Sequence, residues 1–416
     1  MPVSTFGPLT VEHELQPDHV DVVRATLPLV GANIDAITTN FYARMFAARP
    51  ELLRYLFNRG NQAQGAQQRA LAASIATYAT HLVDPTLPHP DEMLSRIGHK
   101  HASLGITADQ YSIVYEHLFA AIVDVLGAET VTTKVAEAWD RVYWMMADTL
   151  VDLENRLYES AGVVAGQVFH RGIVTTRTED PSGVKVIGVT GDWPELRKEH
   201  PGGYVSVGVT LPDGARQIRQ YSLISGSDTG ELTFAVKPVV ASGGCPAGEV
   251  SNWISSTLRP GDLVDISIPF GDLPTADISA GPAVLISAGI GITPMNGILE
   301  HLVLADSRSE VLVVHADRTP VSHPLRTRQR QLVDALPNAV LELWYEEPGD
   351  VADAHHGRLD LTLVDLPQGA TFFVCGGIGF VRAARSQLVD CGVDKSRVHC
   401  ELFAPDEWLL GASVGR

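Results

Sequence analysis

Cysteine is scarce in this 416-residue chain. Only Cys245, Cys375, Cys391 and Cys400 occur, without metal-type spacing or a paired framework. That excludes a disulfide scaffold and a thiolate metal site, and it points to a reduced, cytoplasmic setting. Positive charge is also short: 31 Lys and Arg face 49 Asp and Glu, a net charge of −18. Nucleic acid and anionic membrane surfaces are therefore excluded as partners, with no obligate membrane partner expected. Long apolar runs are missing. The most apolar stretch, Ala283 to Met295, is broken by Gly and Pro and is too short to span a bilayer. Residues 1–16 are acidic and polar with no apolar segment, so no signal peptide is expected. Internal repeats and low-complexity tracts are absent too.

The remainder is ordinary globular material, 45% apolar and 19% charged, enough for several domains. From Pro17 to Tyr158 the period is helical. Ile34, Ile37, Phe41 and Met45 recur at three- and four-residue steps, as do Ile97, His101 and Leu104, and later Trp139, Tyr143, Met146 and Leu150. Breakers at Gly60 to Gly65, Asp84 to Pro90, Gly105 to Ala108 and Gly127 to Thr133 divide this region into about six helices.

Polar residues on those apolar faces carry the chemistry. His101 faces inward, either as a ligand or as a satisfied core residue. Gln67 lies four residues before Leu71 on another helix, Tyr42 lies beside Phe41, and Phe57 closes a short segment. Tyr111 and Glu154 take inward positions on the last two long helices, although the edge of an amphipathic helix also suits Glu154. An axial histidine, distal phenol and amide donors, and a carboxylate behind the imidazole together describe a heme pocket for a gas ligand.

These residues resemble a bacterial globin. The matching text is Phe41-Tyr42-Ala43-Arg44-Met45-Phe46, Pro50-Glu51-Leu52, Leu56-Phe57-Asn58, Gln67 with Leu71, Lys100-His101-Ala102-Ser103, Gln110-Tyr111, and Glu154. The resemblance implies that His101 is the proximal iron ligand. It places Tyr42, Gln67 and Leu71 on the distal side, makes Phe57 a heme wedge, and groups Tyr111 and Glu154 behind the histidine.

After Tyr158 the helical period stops, and a small-residue linker leads into short β-type runs: Val184 to Val189, Tyr204 to Val209, Arg219 to Ile224, Leu232 to Val236 and Leu263 to Ile268. Such spacing predicts a small antiparallel barrel. In the run Arg219-Gln220-Tyr221-Ser222-Leu223, Arg219 and Tyr221 share a face, which suits a ligand with both a phosphate and a planar ring. A surface strand with an extended arginine is the plainer reading. Gly248-Glu249-Val250-Ser251-Asn252-Trp253 predicts a Gly turn, a Ser cap and a short helix ending near Gly261, whose start suits a pyrophosphate or is an ordinary cap. The set resembles the flavin domain of ferredoxin-reductase-like proteins. By that resemblance Arg219 takes a flavin phosphate, Tyr221 and Ser222 contact the ring system, Tyr204 lies near the adenine half, and Gly248, Val250 and Ser251 frame the pyrophosphate. Glu249 departs from the pattern, sitting where it could repel phosphate, and the loop from Val240 to Ala247 is long.

The last third alternates strand and helix. Ala283-Val284-Leu285-Ile286-Ser287 runs into Gly289-Ile290-Gly291-Ile292-Thr293-Pro294 and a helix through Leu304, which is either a nucleotide cradle or a tight packing turn. Pro294 suits a first helical position. Strands at Val311 to His315, Leu341 to Tyr345, Thr371 to Cys375 and His399 to Phe403 complete a doubly wound parallel sheet. Gly376 follows Cys375, which is a structural thiol or a nicotinamide neighbour. Phe403 is either core packing or, by resemblance, the aromatic that covers the flavin. Asp317 and Arg318 leave NADH and NADPH open.

An all-α globin (1–158), an antiparallel β-barrel FAD domain (159–275) and a doubly wound parallel-sheet NAD(P) domain (276–416), in that order, resemble the flavohemoglobins. This resemblance implies heme b, FAD and NADH or NADPH as cofactors, and NO and O₂ as the small-molecule partners. The implied activity is nitric oxide dioxygenation in a cytoplasmic, monomeric protein: hydride to FAD, single electrons to heme, and NO attack on oxygen bound under Tyr42 and Gln67. Phe57 and Leu71 would shape the gas pocket, and Lys100 lies near the flavin–heme interface or is simply solvated. A flavin-dependent reductase of other acceptors, with the globin as gas sensor or store, is the alternative.

Overall fold

The computed structural model describes residues 14–403 apart from 64, 88, 195–199, 226–229, 243–244, 276–277 and 279–280. The tail Asp406 to Arg416 therefore lies outside the described residues. The chain divides into two compact units: Met1–Leu53 with Asn61–Val168, and Arg54–Gly60 with Phe169–Arg416.

The first unit is helical. It contains α1 (Pro17–Ala48), α4 (Ala66–Val83), α5 (Ser95–Leu104), α6 (Ala108–Leu126) and α7 (Thr133–Ala161), with the short α2 (Pro50–Tyr55) and α3 (Arg59–Ala63) spanning the division between the units. On α1 the buried residues Val23, Val30, Ile37, Phe41 and Met45 make one stripe, as helical periodicity requires. Helix ends are specified locally. Thr107 and Gln110 form a capping box at the start of α6, with Thr107 N–H donating to Gln110 Oε1 at 2.9 Å. Gly105 closes α5 at φ 75°, and a Cβ there would lie 2.7 Å from the Gly166 carbonyl, so only glycine fits both the dihedral and the gap.

The second unit begins with a closed barrel in the order β1-β2-β5-β4-β3-β6. Its strands are β1 (Phe169–Glu179), β2 (Lys185–Thr190), β3 (Tyr204–Thr210), β4 (Arg216–Ser225), β5 (Glu231–Val236) and β6 (Leu263–Ser267). All pair antiparallel, and closure leaves no free edge. Helix α8 (Glu249–Ser256) lies between β5 and β6 in sequence. It stops well before the expected Gly261, because Thr257 already leaves the regular helix as its C-cap.

A parallel sheet follows in the order β10-β9-β8-β7-β11-β12. Its strands are β7 (Ala283–Ala288), β8 (Val311–Asp317), β9 (Ala339–Tyr345), β10 (Ala354–His356), β11 (Thr371–Cys375) and β12 (Val398–Glu401). Apolar cores cover both faces. One unites Met295, Ile298, Leu299 and Leu302 of α9 (Ile292–Leu304) and Val333 of α10 (Arg326–Asp334) with Leu285 and Phe373. The other unites Val381, Ala384 and Leu388 of α11 (Ile378–Asp390) with Ile286, Val314 and Val374. Alternate residues of each strand feed opposite cores, as a doubly wound sheet demands. Among the described residues no helix is long and apolar enough to cross a membrane.

Candidate functional site

His101 sits near the C-terminal end of α5, and Glu154 faces it from α7. The two helices approach at Gly98, where an added Cβ would collide with Leu153. This closeness lets Glu154, only 2% exposed, reach the histidine. Its Oε1 lies 2.9 Å from His101 Nδ1 and accepts from Tyr111 Oη at 2.5 Å, while Tyr143 Oη donates to the Tyr111 carbonyl at 2.6 Å. Burial, then the neighbouring carboxylate, push the Tyr111 phenol well above its ordinary value, so it remains a donor. A carboxylate accepting at Nδ1 favours the tautomer with the proton there, which leaves the Nε2 lone pair able to bind a metal. Among the described residues no group of three His, Cys, Asp or Glu could hold a bare metal ion. A single buttressed imidazole fits a metal that arrives inside a macrocycle. The structure thus brings together His101, Tyr111 and Glu154 as expected, and it places Glu154 inside the bundle rather than at a solvated edge.

Across the bundle, Tyr42 of α1 is 5% exposed and packs against Phe41 and Phe46, with ring centroids 4.6 Å and 5.6 Å away. Burial raises its pKa, and a hydrogen bond from Gln62 lowers it in part. Gln67 lies in the first turn of α4, and its Oε1 accepts from Gln62 Nε2 at 3.2 Å. Leu71 follows one turn later and is half-buried. Gln62 escapes the sequence reading because it falls within the Gly60 to Gly65 breaker. A glutamine five residues before the inward Gln67 is the one signal that marks it. Phe57, half-buried, occupies the bend between α2 and α3, in the segment that groups with the second unit. Lys100 is half-buried on α5.

In the barrel, Arg219 of β4 pairs in register with Val207, and Ser222 pairs with Tyr204. Arg219 donates to the Ile218 carbonyl at 2.6 Å, and burial depresses its pKa. Among the described residues no ion pair to a carboxylate holds this half-buried guanidinium, which Glu249 attracts only at longer range, so it can take an anion. Tyr221 stacks on Phe234 with centroids 5.3 Å apart. Ser222 and Tyr204 are buried. Gly248 is the N-cap of α8 and has no side-chain cap, so the expected Ser cap is corrected. Ser251 lies inside the helix because Gly248 already supplies the extended cap backbone, and its hydroxyl turns back to accept from Val239 N–H at 3.3 Å. Val250 is buried and offers only its backbone to a ligand. The charge of Glu249 is met within this unit by Arg59, which donates to both carboxylate oxygens at 2.9 and 3.3 Å and also reaches Asp213. The α8 N-terminus therefore keeps its positive field.

At the sheet, Gly289 takes φ 52° with open space where a Cβ would stand, whereas a Cβ on Gly291 would strike the Cys375 carbonyl. Gly291 thus serves close packing and Gly289 the open turn. Helix α9 begins at Ile292, which puts Pro294 in its first turn rather than at the first position. Thr293 Oγ1 donates to the Ile290 carbonyl at 2.9 Å, closing that turn. Cys375 is fully buried in the core with Leu285 and Met295, and Gly376 next to it is buried too. Phe403 is 50% exposed just past β12, not core packing. Asp317 turns inward, its Oδ1 accepting from Arg318 N–H at 2.7 Å and Ser322 Oγ at 2.6 Å.

Comparison with known proteins agrees with this architecture. The globin family model matches residues 39–150, and the oxidoreductase NAD-binding domain matches 285–386. A flavohemoprotein from Bordetella parapertussis is 37% identical over 406 residues, covering 94% of this chain and 98% of its own. One from Chromobacterium violaceum is 37% identical, covering 92% and 96%. A flavohemoglobin crystal structure from Malassezia yamatoensis, with bound FAD and heme, superposes with a TM-score of 0.86 at 33% identity over 94% of this chain and 100% of its own. The FAD/NAD-binding domain of a nitric oxide dioxygenase from Vibrio cholerae covers 57% of this chain and 99% of its own, with a TM-score of 0.51 at 29% identity. A histidine set suited to heme, a six-stranded barrel and a parallel nucleotide-type sheet in one chain, with flavohemoproteins 37% identical over 92–94% of its length, make the chain a member of the flavohemoprotein family.

Proposed function

We propose that this chain is a nitric oxide dioxygenase that converts NO and O₂ to nitrate with electrons from NAD(P)H. The observation that carries the reading is the set in which the buried Glu154 Oε1 holds both His101 Nδ1 and Tyr111 Oη. A store or sensor needs reversible binding, whereas a carboxylate behind the imidazole makes it a stronger electron donor and favours chemistry on oxygen. When bound, heme supplies the gas-binding iron, FAD the step from hydride to single electrons, and NAD(P)H the reducing equivalents.

The chain's own residues bind and orient. His101 offers Nε2 to the iron. Tyr42 and Gln67 would supply hydrogen-bond donors to a bound gas, and Leu71 an apolar wall, while Phe57 is read as the heme wedge. Arg219 neutralises a flavin phosphate, Tyr221 and Ser222 face the ring system, and Tyr204 serves the adenine half. The α8 start at Gly248, Val250 and Ser251 cradles the pyrophosphate through its N–H groups. Gly289, Gly291, Thr293, Pro294 and Gly376 frame the nicotinamide nucleotide, with Phe403 as the exposed aromatic beside the flavin. The three domains are read as 1–158, 159–275 and 276–416.

The test is NADH-dependent NO consumption with nitrate as product, in the native chain and in His101→Ala. Stoichiometric nitrate that vanishes in the variant supports the reading. Reduction of dyes or ferric salts without NO loss moves the assignment to a flavin-dependent reductase.

A further inference from the structure

We infer that two adjoining apolar cavities among α1, α4, α6 and α7 form a docking site and entry track for uncharged diatomic gases, NO and O₂. The inference rests on the reading of the first unit as a gas-binding heme site, and not on the dioxygenase step. The inner cavity has a volume of about 30 Å³ and lies among Ile37 of α1, Ile75 of α4, Leu118 of α6 and Val142 of α7. The outer one, about 10 Å³, lies between Leu29 of α1 and Val131, in the turn that joins α6 to α7. Both are lined by Val30, Phe119, Ile122 and Trp139, so one wall separates them. Leu29 is 41% exposed, which puts the outer cavity next to solvent.

Chemistry and size decide what enters. Among the described residues that line the two cavities, none is charged. The polar tips of two lining rings are engaged elsewhere: Trp139 Nε1 donates to Thr26 Oγ1 at 2.9 Å, and Tyr143 Oη donates to the Tyr111 carbonyl at 2.6 Å. Water needs two to four polar partners and gains little in such a space, whereas an apolar guest gives up no hydrogen bonds on entering. About 10–15 Å³ holds one water, so the inner cavity takes a molecule of about two atoms and the outer one admits gas singly. Position supplies the destination. Ile75 follows Leu71 by four residues on α4, so both lie on one helix face about 6 Å apart along the axis. Leu71 is the residue read as the distal wall. Tyr42, Gln67, Leu71 and His101 do not line the inner cavity, so it is a separate station one helical turn before the distal set. A gas held there is delivered to the distal side and recaptured when it leaves.

The experiment uses the full-length, heme-loaded chain. Crystals are pressurised with xenon, an apolar probe, and NO rebinding after flash photolysis is followed in solution. Xenon should occupy the inner cavity of the native chain and be missing from Val142→Phe, whose ring fills it. The slow geminate phase of NO rebinding should shrink roughly threefold in that variant, with oxygen association slowed by a similar factor. Leu118→Ala enlarges the same cavity, so the slow phase should grow; this variant keeps the test intact where the larger ring disturbs folding. No xenon in the native inner cavity overturns the inference. NO rebinding equal to native in both variants overturns it too, as does a change of the same sign in both, since that marks disturbed packing. Xenon and NO rebinding as expected in a chain that forms no nitrate would remove the dioxygenase reading and leave this inference standing.

Discussion

Replacing Glu154 by Gln tests the proximal arrangement with almost no change in shape. The carboxylate is 2% exposed, and its Oε1 serves His101 Nδ1 at 2.9 Å and Tyr111 Oη at 2.5 Å. A charged acceptor strengthens a hydrogen bond by about 1.4 kcal/mol over a neutral one. That increment matters most when the iron is ferric, because a more positive metal draws more density through the imidazole. Its loss should therefore destabilise the ferric state and raise the one-electron midpoint potential by roughly 60 mV, taking 59 mV per factor of ten. Spectroelectrochemical titration of the heme band reads this directly. The iron–histidine stretch in resonance Raman should fall alongside it. A midpoint that stays put, or that moves negative while heme remains bound, would refute the claim that Glu154 acts electronically through His101.

Three further outcomes are expected. Gly98→Ala should lower the melting temperature and speed heme loss, a cost of about 1–3 kcal/mol from the clash with Leu153, although glycine-to-alanine inside a helix ordinarily stabilises. Gly291→Ala should raise KM for NADH severalfold with FAD content unchanged, because its Cβ meets backbone at Cys375 that cannot yield; an unaltered KM counts against the cradle. The third concerns pH. Burial keeps His315 and His323 neutral by pushing both pKa values down. The unfolded chain takes up those protons below about pH 6.5 while the folded one does not, so stability is present above that pH and is lost as pH falls. Between pH 6.5 and 5.5 His323 alone should cost roughly 1 kcal/mol, with His315 adding in the same direction, seen as a lower urea midpoint for the second unit, and the slope should flatten in His323→Phe.

Most of the architecture is legible in the sequence because period and punctuation agree. The stripe on α1, the alternating runs of β2 to β6 and the apolar run of β7 each carry their own signal. β1 is not legible. Half its residues are exposed and polar, and its position is fixed by pairing with both β2 and β6, a long-range condition. β10 is only three residues long and exists as an edge on β9. Within the proximal site, His101, Tyr111 and Glu154 are readable as inward polar residues. Gln62 is not, since its contacts with Gln67 and Gln68 form only in the folded chain. The Ser251 cap shows a local rule overridden: an extended Gly248 placed the cap three residues earlier.

One oxygen of Glu154 receives two donors, and this makes the phenol a rheostat. Whatever density Tyr111 withdraws from that oxygen is denied to the imidazole. Changing the tyrosine alone would therefore retune the histidine, through the shared oxygen and through its own approach to Nδ1 at 3.0 Å. The protein can adjust its electron push through a side chain that never meets the metal, leaving the ligand, its helix and its contact with the carboxylate where they are.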